Sequence, residues 1–504
     1  MHDIIVLSDL HIGRGRNPET GRYHSLETFF YDEDLRRFCR KVCTEAASRG
    51  VTVKFVFNGD TFDFLRSEAE EEIEGTRREQ RFGPDLTPEV AARAVSYMLA
   101  GHPVFAETLG EILEAGHEIV FLPGNHDNEV QWEPVQSVVR DMVRRRLRTP
   151  VRSDEVMARL KFEPWFVYEP GRIWIEHGCQ YDPECAFRFP LRGAFSQGLP
   201  DPKLLERDVP LGNFIQRYLY NAFGPITFIV PSTRANARYT RWLLLHEPRL
   251  LFRVVFSHIP FIFQVLRRLS QAGSPGRETL QKAHDAQLAS LSTASGLGET
   301  LKRIDELKNV QGDLVQTVRQ QGLQAIRFLL LCITVAVSSA GLWFFGWLAI
   351  TELQGYGFGA KSMLFIMLNS ILMLSVFMGL GYLVLKSAPS TAPTPLKRGA
   401  QELVNILDVP VVTFGHTHDE VIWRLNRPSG GKAWYFNTGT WIAVFTDDVL
   451  LPRERVQYTF LRMRGLEGDL LHWSPGRDES LPVILLDELT DDTALVPAPV
   501  PHAA

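Results

Sequence analysis

Asp9, His11, Asp60, Asn125, His177, His416 and His418 each follow a short apolar run and precede or adjoin turn residues. The set mixes carboxylate, imidazole and one amide, with no thiolate in a comparable position. Such N/O donors suit divalent ions of the Mn, Fe or Zn type and do not select sharply among them. Two such ions, roughly 3.5–4 Å apart and sharing a carboxylate, can hold a bridging hydroxide and clamp a phosphate oxygen. The ions lower the pKa of bound water and neutralise charge developing at phosphorus, so no side chain needs to act as nucleophile.

The elements that must position these groups are strands. Residues 4–7, 51–57, 118–122, 172–176, 409–414 and 433–436 are short apolar or β-branched runs that end in Gly, Asn, Asp or Pro. Such runs predict buried strands stopped by turns. In open α/β sheets the crevice beyond the strand ends is where ligands bind. Asp9 and His11, two apart on an extended segment, point the same way and can reach one ion. Residues 26–49 place Leu35, Phe38, Val42 and Ala46 at helical spacing, and residues 88–115 supply further helix. Residues 165–168 read as the hairpin partner of 172–176.

With 504 residues the chain exceeds one compact core. Its net charge of -5 gives no reason to expect nucleic-acid binding. Cys39, Cys43, Cys179, Cys185 and Cys332 are odd in number and include no Cys-x-x-Cys pair, which argues against a disulfide scaffold or a thiolate zinc knuckle. The opening residues carry Asp3 and no basic stretch, so no signal peptide is expected there and the N-terminal part is expected in the cytoplasm.

The α/β rhythm stops after residue 185. Residues 186–325 read as a helical insertion. Within it, residues 239–269 fit either an amphipathic helix in a membrane interface or a core-facing helix pair. Residues 328–350 and 362–385 contain no charged residue and are long enough to cross a ~30 Å hydrocarbon core. With a short connection between them they form a transmembrane hairpin, expected over 326–386, and Trp343, Trp347, Tyr356 and Tyr382 suit interfacial belts. Lys308, Arg319 and Arg327 precede it, Lys386, Lys397 and Arg398 follow it, and the connection holds only Lys361. The positive-inside rule then predicts a multi-pass protein of the inner or plasma membrane with both flanks cytoplasmic. Residues 387–400 read as a Pro/Ser/Thr linker, 401–484 as the return of the α/β part, and 485–504 as a disordered tail.

In chain order the sequence has Asp9-Leu10-His11, Gly59-Asp60-Thr61-Phe62-Asp63, Gly124-Asn125-His126-Asp127, His177-Gly178 and Gly415-His416-Thr417-His418. It resembles the calcineurin-like metallophosphoesterases over roughly residues 1–185 and 400–480. The resemblance implies an αββα sandwich of two sheets, here interrupted by the helical insertion and its hairpin. It implies a first metal held by Asp9, His11, Asp60 and His418. It implies a second held by Asp60, Asn125, His177 and His416, with Asp60 bridging and manganese the favoured ion. His126 matches the family's non-ligand histidine, which contacts phosphate and protonates the leaving oxygen. Asp63 matches the Asp that orients that imidazole. Arg14 and Arg16 follow the first ligand block, where they fit either a grip on a substrate phosphate or a solvated loop.

The stretches 59–64 and 177–182 are also similar to the branch that cleaves the pyrophosphate of UDP-2,3-diacylglucosamine. That branch commonly has Arg where this chain has His126, and it lacks a long membrane insertion, so its substrate is not carried over. The expectation is a membrane-anchored phosphoesterase acting on a phosphomonoester, phosphodiester or pyrophosphate. Its partners would be an amphiphilic phosphorylated substrate and membrane lipids. A membrane-tethered protein or nucleotide phosphatase is the alternative within the same chemistry, and a catalytically silent scaffold is the alternative outside it. The sequence sets no oligomeric state.

Overall fold

Side chains alternate across a strand, and this sorts the apolar residues of β1 (Asp3–Leu7) into two cores. Ile4 and Val6 face one cluster with Val56, Val120, Ile175, Val411 and Phe436. Ile5 and Leu7 face another with Phe38, Phe55, Phe57, Phe105 and Phe121. The first cluster lies between two sheets, and the second lies between a sheet and helices. The chain is described here from a computed structural model covering residues 2–66, 82–83, 85–198, 201, 203–221, 248–271, 276–310, 314–387, 394–444 and 456–483.

The further strands are β2 (Val53–Asn58), β3 (Glu118–Leu122), β4 (Leu160–Phe162), β5 (Phe166–Glu169), β6 (Ile173–Glu176), β7 (Val411–Phe414), β8 (Glu420–Asn426), β9 (Lys432–Thr438), β10 (Thr459–Arg464), β11 (Glu467–Ser474) and β12 (Glu479–Pro482). Among the described residues they form two mixed sheets, ordered β12-β11-β10-β1-β2-β3-β4 and β5-β6-β7-β9-β8. β1, β2 and β3 are parallel, so their carboxyl ends share one edge. β6, β7 and β9 are likewise parallel. Residues beyond 400 complete both sheets: β10 pairs antiparallel with β1, setting Ile4 opposite Met463, and β7 lies beside β6, setting Trp174 opposite Val412. Late and early segments therefore share their hydrogen bonds.

Helices Asp32–Ser48, Pro88–Gly101, Pro103–Glu114 and Glu133–Arg144 supply buried side chains to the cluster on the outer face of the first sheet. Helix Thr394–Leu407 covers the second sheet. Its Leu396, Ala400, Leu403 and Val404 pack with Trp174, Val412 and Tyr435. This helix begins at Thr394, within the stretch 387–400 read from the sequence as a linker. Pro395 is tolerated in the first helical turn, and the apolar 3–4 spacing behind it provides the packing face. Residues 388–393 and the tail at 485–504 lie outside the described residues.

Helix Leu314–Glu352 starts well before the apolar stretch, and helix Phe358–Ser387 runs back beside it, with Trp343 Nε1 donating to Asn369 Oδ1 at 3.0 Å. Within them, Leu329–Glu352 and Phe358–Val376 are long and apolar enough to cross a membrane. Phe345 and Met373 on these helices are 69% and 75% exposed. Helix Pro248–Gln271 has Phe261 and Val265 in a core cluster with Phe214 and Tyr218, while Phe256, Ile259 and Phe263 are exposed.

Candidate metal centre

The loops leaving the carboxyl ends of five strands converge. Asp9 and His11 follow β1, Asp60 and Asp63 follow β2, Asn125 and His126 follow β3, His177 follows β6, and His416 and His418 follow β7. Asp9, His11 and His418 bring ligand atoms within 4.8 Å of one another, as do Asp9, Asp60 and His177, and also His11, Asp60 and His126. Asp9, His11, Asp60, Asn125 and His177 are all buried. Carboxylates withdrawn from water this far need compensating positive charge.

The backbone is bent to deliver them. Asp9, His11, Asp60, His416 and His418 have φ of 56°, 48°, 50°, 73° and 58°, in the left-handed region that residues with a Cβ rarely enter. Strain of this kind persists only where surroundings over-determine it, and it clusters at functional sites. The restraint at Asp60 is visible. The Asp127 carboxylate accepts from the backbone N–H groups of Asp60 (3.0 Å), Thr61 (2.8 Å), Phe62 (3.2 Å) and Gly124 (2.6 Å). Asp127 thus ties the loop after β2 to the loop after β3, a role the sequence reading did not assign. At Gly124 a Cβ would overlap the Asp60 carboxylate, so the close approach of the two loops requires glycine.

Hydrogen bonds on the far side of each ring define the near side. His177 Nδ1 lies 2.9 Å from the Asn58 carbonyl, which can only accept. The proton belongs there, and Nε2 presents its lone pair 3.3 Å from Asp60 Oδ2. His416 Nε2 lies 2.9 Å from Asp182 Oδ2, which leaves Nδ1 facing Asn125 Oδ1 at 3.0 Å. His418 Nε2 is 3.2 Å from Asp9 Oδ1 and 3.0 Å from His11 Nε2.

Asp9 Oδ1 and His177 Nε2 are buried without a hydrogen-bond partner. Acceptor atoms that turn inward on one another in this way fit a divalent cation as the shared partner. The electrostatics agree. Burial alone would push the Asp9 and Asp60 carboxyls up, but the surrounding imidazoles outweigh it and hold both below the usual carboxylate range. Burial would push His11 and His177 down, and the carboxylates instead raise them to about 10 and about 9. The cluster therefore favours positive charge at its centre, where a metal ion competes with protons. Cys185 joins Asp182 and His416 in a further group, and burial holds its thiol well above the usual range.

His126 Nδ1 lies 3.1 Å from Asp63 Oδ1, and its backbone N–H donates to Asp60 Oδ1 at 2.8 Å. Its side chain is 15% exposed, against 1% for Asp63, so the ring reaches out of the cluster. The Arg14 guanidinium lies 5.3 Å from the Tyr97 ring centre, and that of Arg16 lies 4.6 Å from the ring centre of Tyr23.

A family model for calcineurin-like phosphoesterases matches residues 2–289, and the chain belongs to that family of phosphoester hydrolases. Its members typically use a dinuclear divalent metal site, and the clustered groups described above are candidate ligands for one. The matched residues include every candidate from Asp9 to His177, extend past residue 185, and end before His416. The match identifies the family and no branch within it. No curated protein matches the chain.

Proposed function

We propose that this chain is a dinuclear metal-dependent phosphoesterase whose substrate is an amphiphilic phosphomonoester, phosphodiester or pyrophosphate. Asp9, His11, Asp60 and His418 hold one ion, and Asp60, Asn125, His177 and His416 hold the other, with Asp60 shared and manganese the favoured metal. When bound, the ions polarise the phosphorus centre and activate water for attack. His126, on the exposed side of the cluster, contacts the phosphate and protonates the leaving oxygen, while Asp63 fixes its tautomer by accepting from Nδ1. The observation that carries this reading is the convergence of buried Asp and His residues from the early part of the chain with the half-buried His416 and His418 from its late part, five of them on a strained backbone.

Two helices long and apolar enough to cross a membrane favour a hairpin, and its flanks are placed on the cytoplasmic side of the inner or plasma membrane by the positive-inside rule alone. This arrangement would keep the site near the bilayer surface, where a lipid-linked phosphate is found. The test is turnover by detergent-solubilised protein with added Mn. An activated phosphodiester, an activated phosphomonoester, a water-soluble nucleotide and a nucleotide-linked lipid pyrophosphate would be compared. Hydrolysis that favours the lipid substrate supports the reading, and equal turnover of a water-soluble nucleotide would replace it with a tethered nucleotide phosphatase.

A further inference from the structure

Asn213 sits in helix Leu211–Ile215, within residues 186–325 and 88 positions from Asn125 in sequence. It is 3% exposed, and a buried amide needs partners at both ends. Its Nδ2 donates to the Asn125 backbone carbonyl at 2.6 Å. A carbonyl can only accept, so this bond decides which end of the Asn213 amide is nitrogen. Its Oδ1 then accepts from Asn125 Nδ2 at 3.2 Å. That in turn fixes the Asn125 amide: its nitrogen faces Asn213, and its oxygen faces His416 Nδ1 at 3.0 Å. With the amide reversed, an NH2 group without a lone pair to give would face the metal position.

We propose that Asn213 is a positioning residue for the metal centre, holding the Asn125 amide oxygen toward the second ion. The proposal rests on the reading of Asn125 as a ligand. The helix that carries Asn213 is itself well seated. Gly212 N donates to the Glu184 carbonyl at 2.7 Å, and Phe214 packs with Phe261 and Val265 of helix Pro248–Gln271. Residues between 186 and 325 thereby complete a site otherwise built from the sheet edges.

The experiment is a calorimetric Mn titration of the metal-free full chain in detergent. Asn213→Ala removes both bonds, and Asn213→Leu removes them while keeping volume. In each, one ion is expected to bind roughly 10–100-fold more weakly, with the other unchanged. Asn221→Ala, which removes a bond to the Leu65 carbonyl from the same segment, is expected to leave both ions unchanged. Wild-type affinity at both sites in the Asn213 variants overturns the proposal. So does equal weakening at both sites with a lowered melting temperature, which marks a structural role. A wild type that binds only one ion overturns the dinuclear reading on which the proposal stands.

Discussion

The Asp63 carboxylate stands between two imidazoles: Oδ1 is 3.1 Å from His126 Nδ1 and Oδ2 is 3.3 Å from His11 Nδ1. One carboxylate therefore hydrogen-bonds the candidate general acid and lies close beside a candidate metal ligand. Arg66 Nε, 3.4 Å from Oδ2, adds positive charge. Asp63→Asn keeps the shape but can accept at only one end. Turnover is expected to fall by roughly 10²-fold, and His126→Ala by roughly 10²–10⁴-fold, with metal content retained in the latter. Steady-state kinetics beside metal analysis checks this. A His126→Ala variant with unchanged kcat would remove the general acid from the account.

Asp182 accepts from His416 across 234 positions of sequence. Outer carboxylates of this kind orient a ligating imidazole and raise its basicity, and losing one typically costs 10–100-fold in metal affinity. Asp182→Asn is expected to weaken one ion by about that factor. An Mn titration reads it directly, and unaltered affinity would show that the contact is incidental.

Glu27 anchors the loop that carries Arg14 and Arg16, accepting from the N–H groups of Gly15 (2.6 Å) and Phe29 (2.8 Å) and from His102 Nε2 at 3.2 Å. Burial pulls His102 down, but Asp32 and Glu27 outweigh it and raise its pKa from 6.5 to about 9. Stability from this contact is therefore fully present below pH 6.5 and is lost as pH rises through about 9. Burial raises Glu27, yet its partners lower it below 4.5 overall, so its share is present above that pH and is lost as pH falls further. The melting-temperature gap between wild type and His102→Gln should be widest near pH 5–6.5 and close by about pH 9. A gap that widens toward pH 9 would contradict the assignment.

The helices containing Leu329–Glu352 and Phe358–Val376 predict that detergent, and not high salt or alkaline carbonate, releases the full chain from membranes. Sedimentation after each wash measures it. Release by salt alone would mean that the apolar surface is covered by another protein and not by lipid.

The strands that carry the candidate ligands were legible because each block is local: an apolar run, a turn and a polar side chain occupy a few consecutive residues. The groups that hold the ligands in place were not, because their partners are distant. Asp127 clamps backbone N–H groups more than sixty positions away, and Asn213 meets Asn125 only through the fold. No local pattern marks either contact. The start of helix Thr394–Leu407 was hidden because its first residues, Thr394 and Pro395, continue the Pro/Ser/Thr stretch that precedes it. The stacking of Arg14 on Tyr97 was not legible either, because only the fold brings that ring to the guanidinium.

The central claim is one dinuclear centre assembled from both ends of the chain around Asp60. Its most direct test is the metal content and turnover of Asp60→Asn after Mn loading, measured by elemental analysis beside the wild type. The account predicts two ions per wild-type chain. It predicts at most one in the variant, with turnover reduced by at least roughly 10²-fold, as expected when a shared ligand and the charge stabilisation it organises are lost. A variant that keeps two ions and full turnover would contradict it.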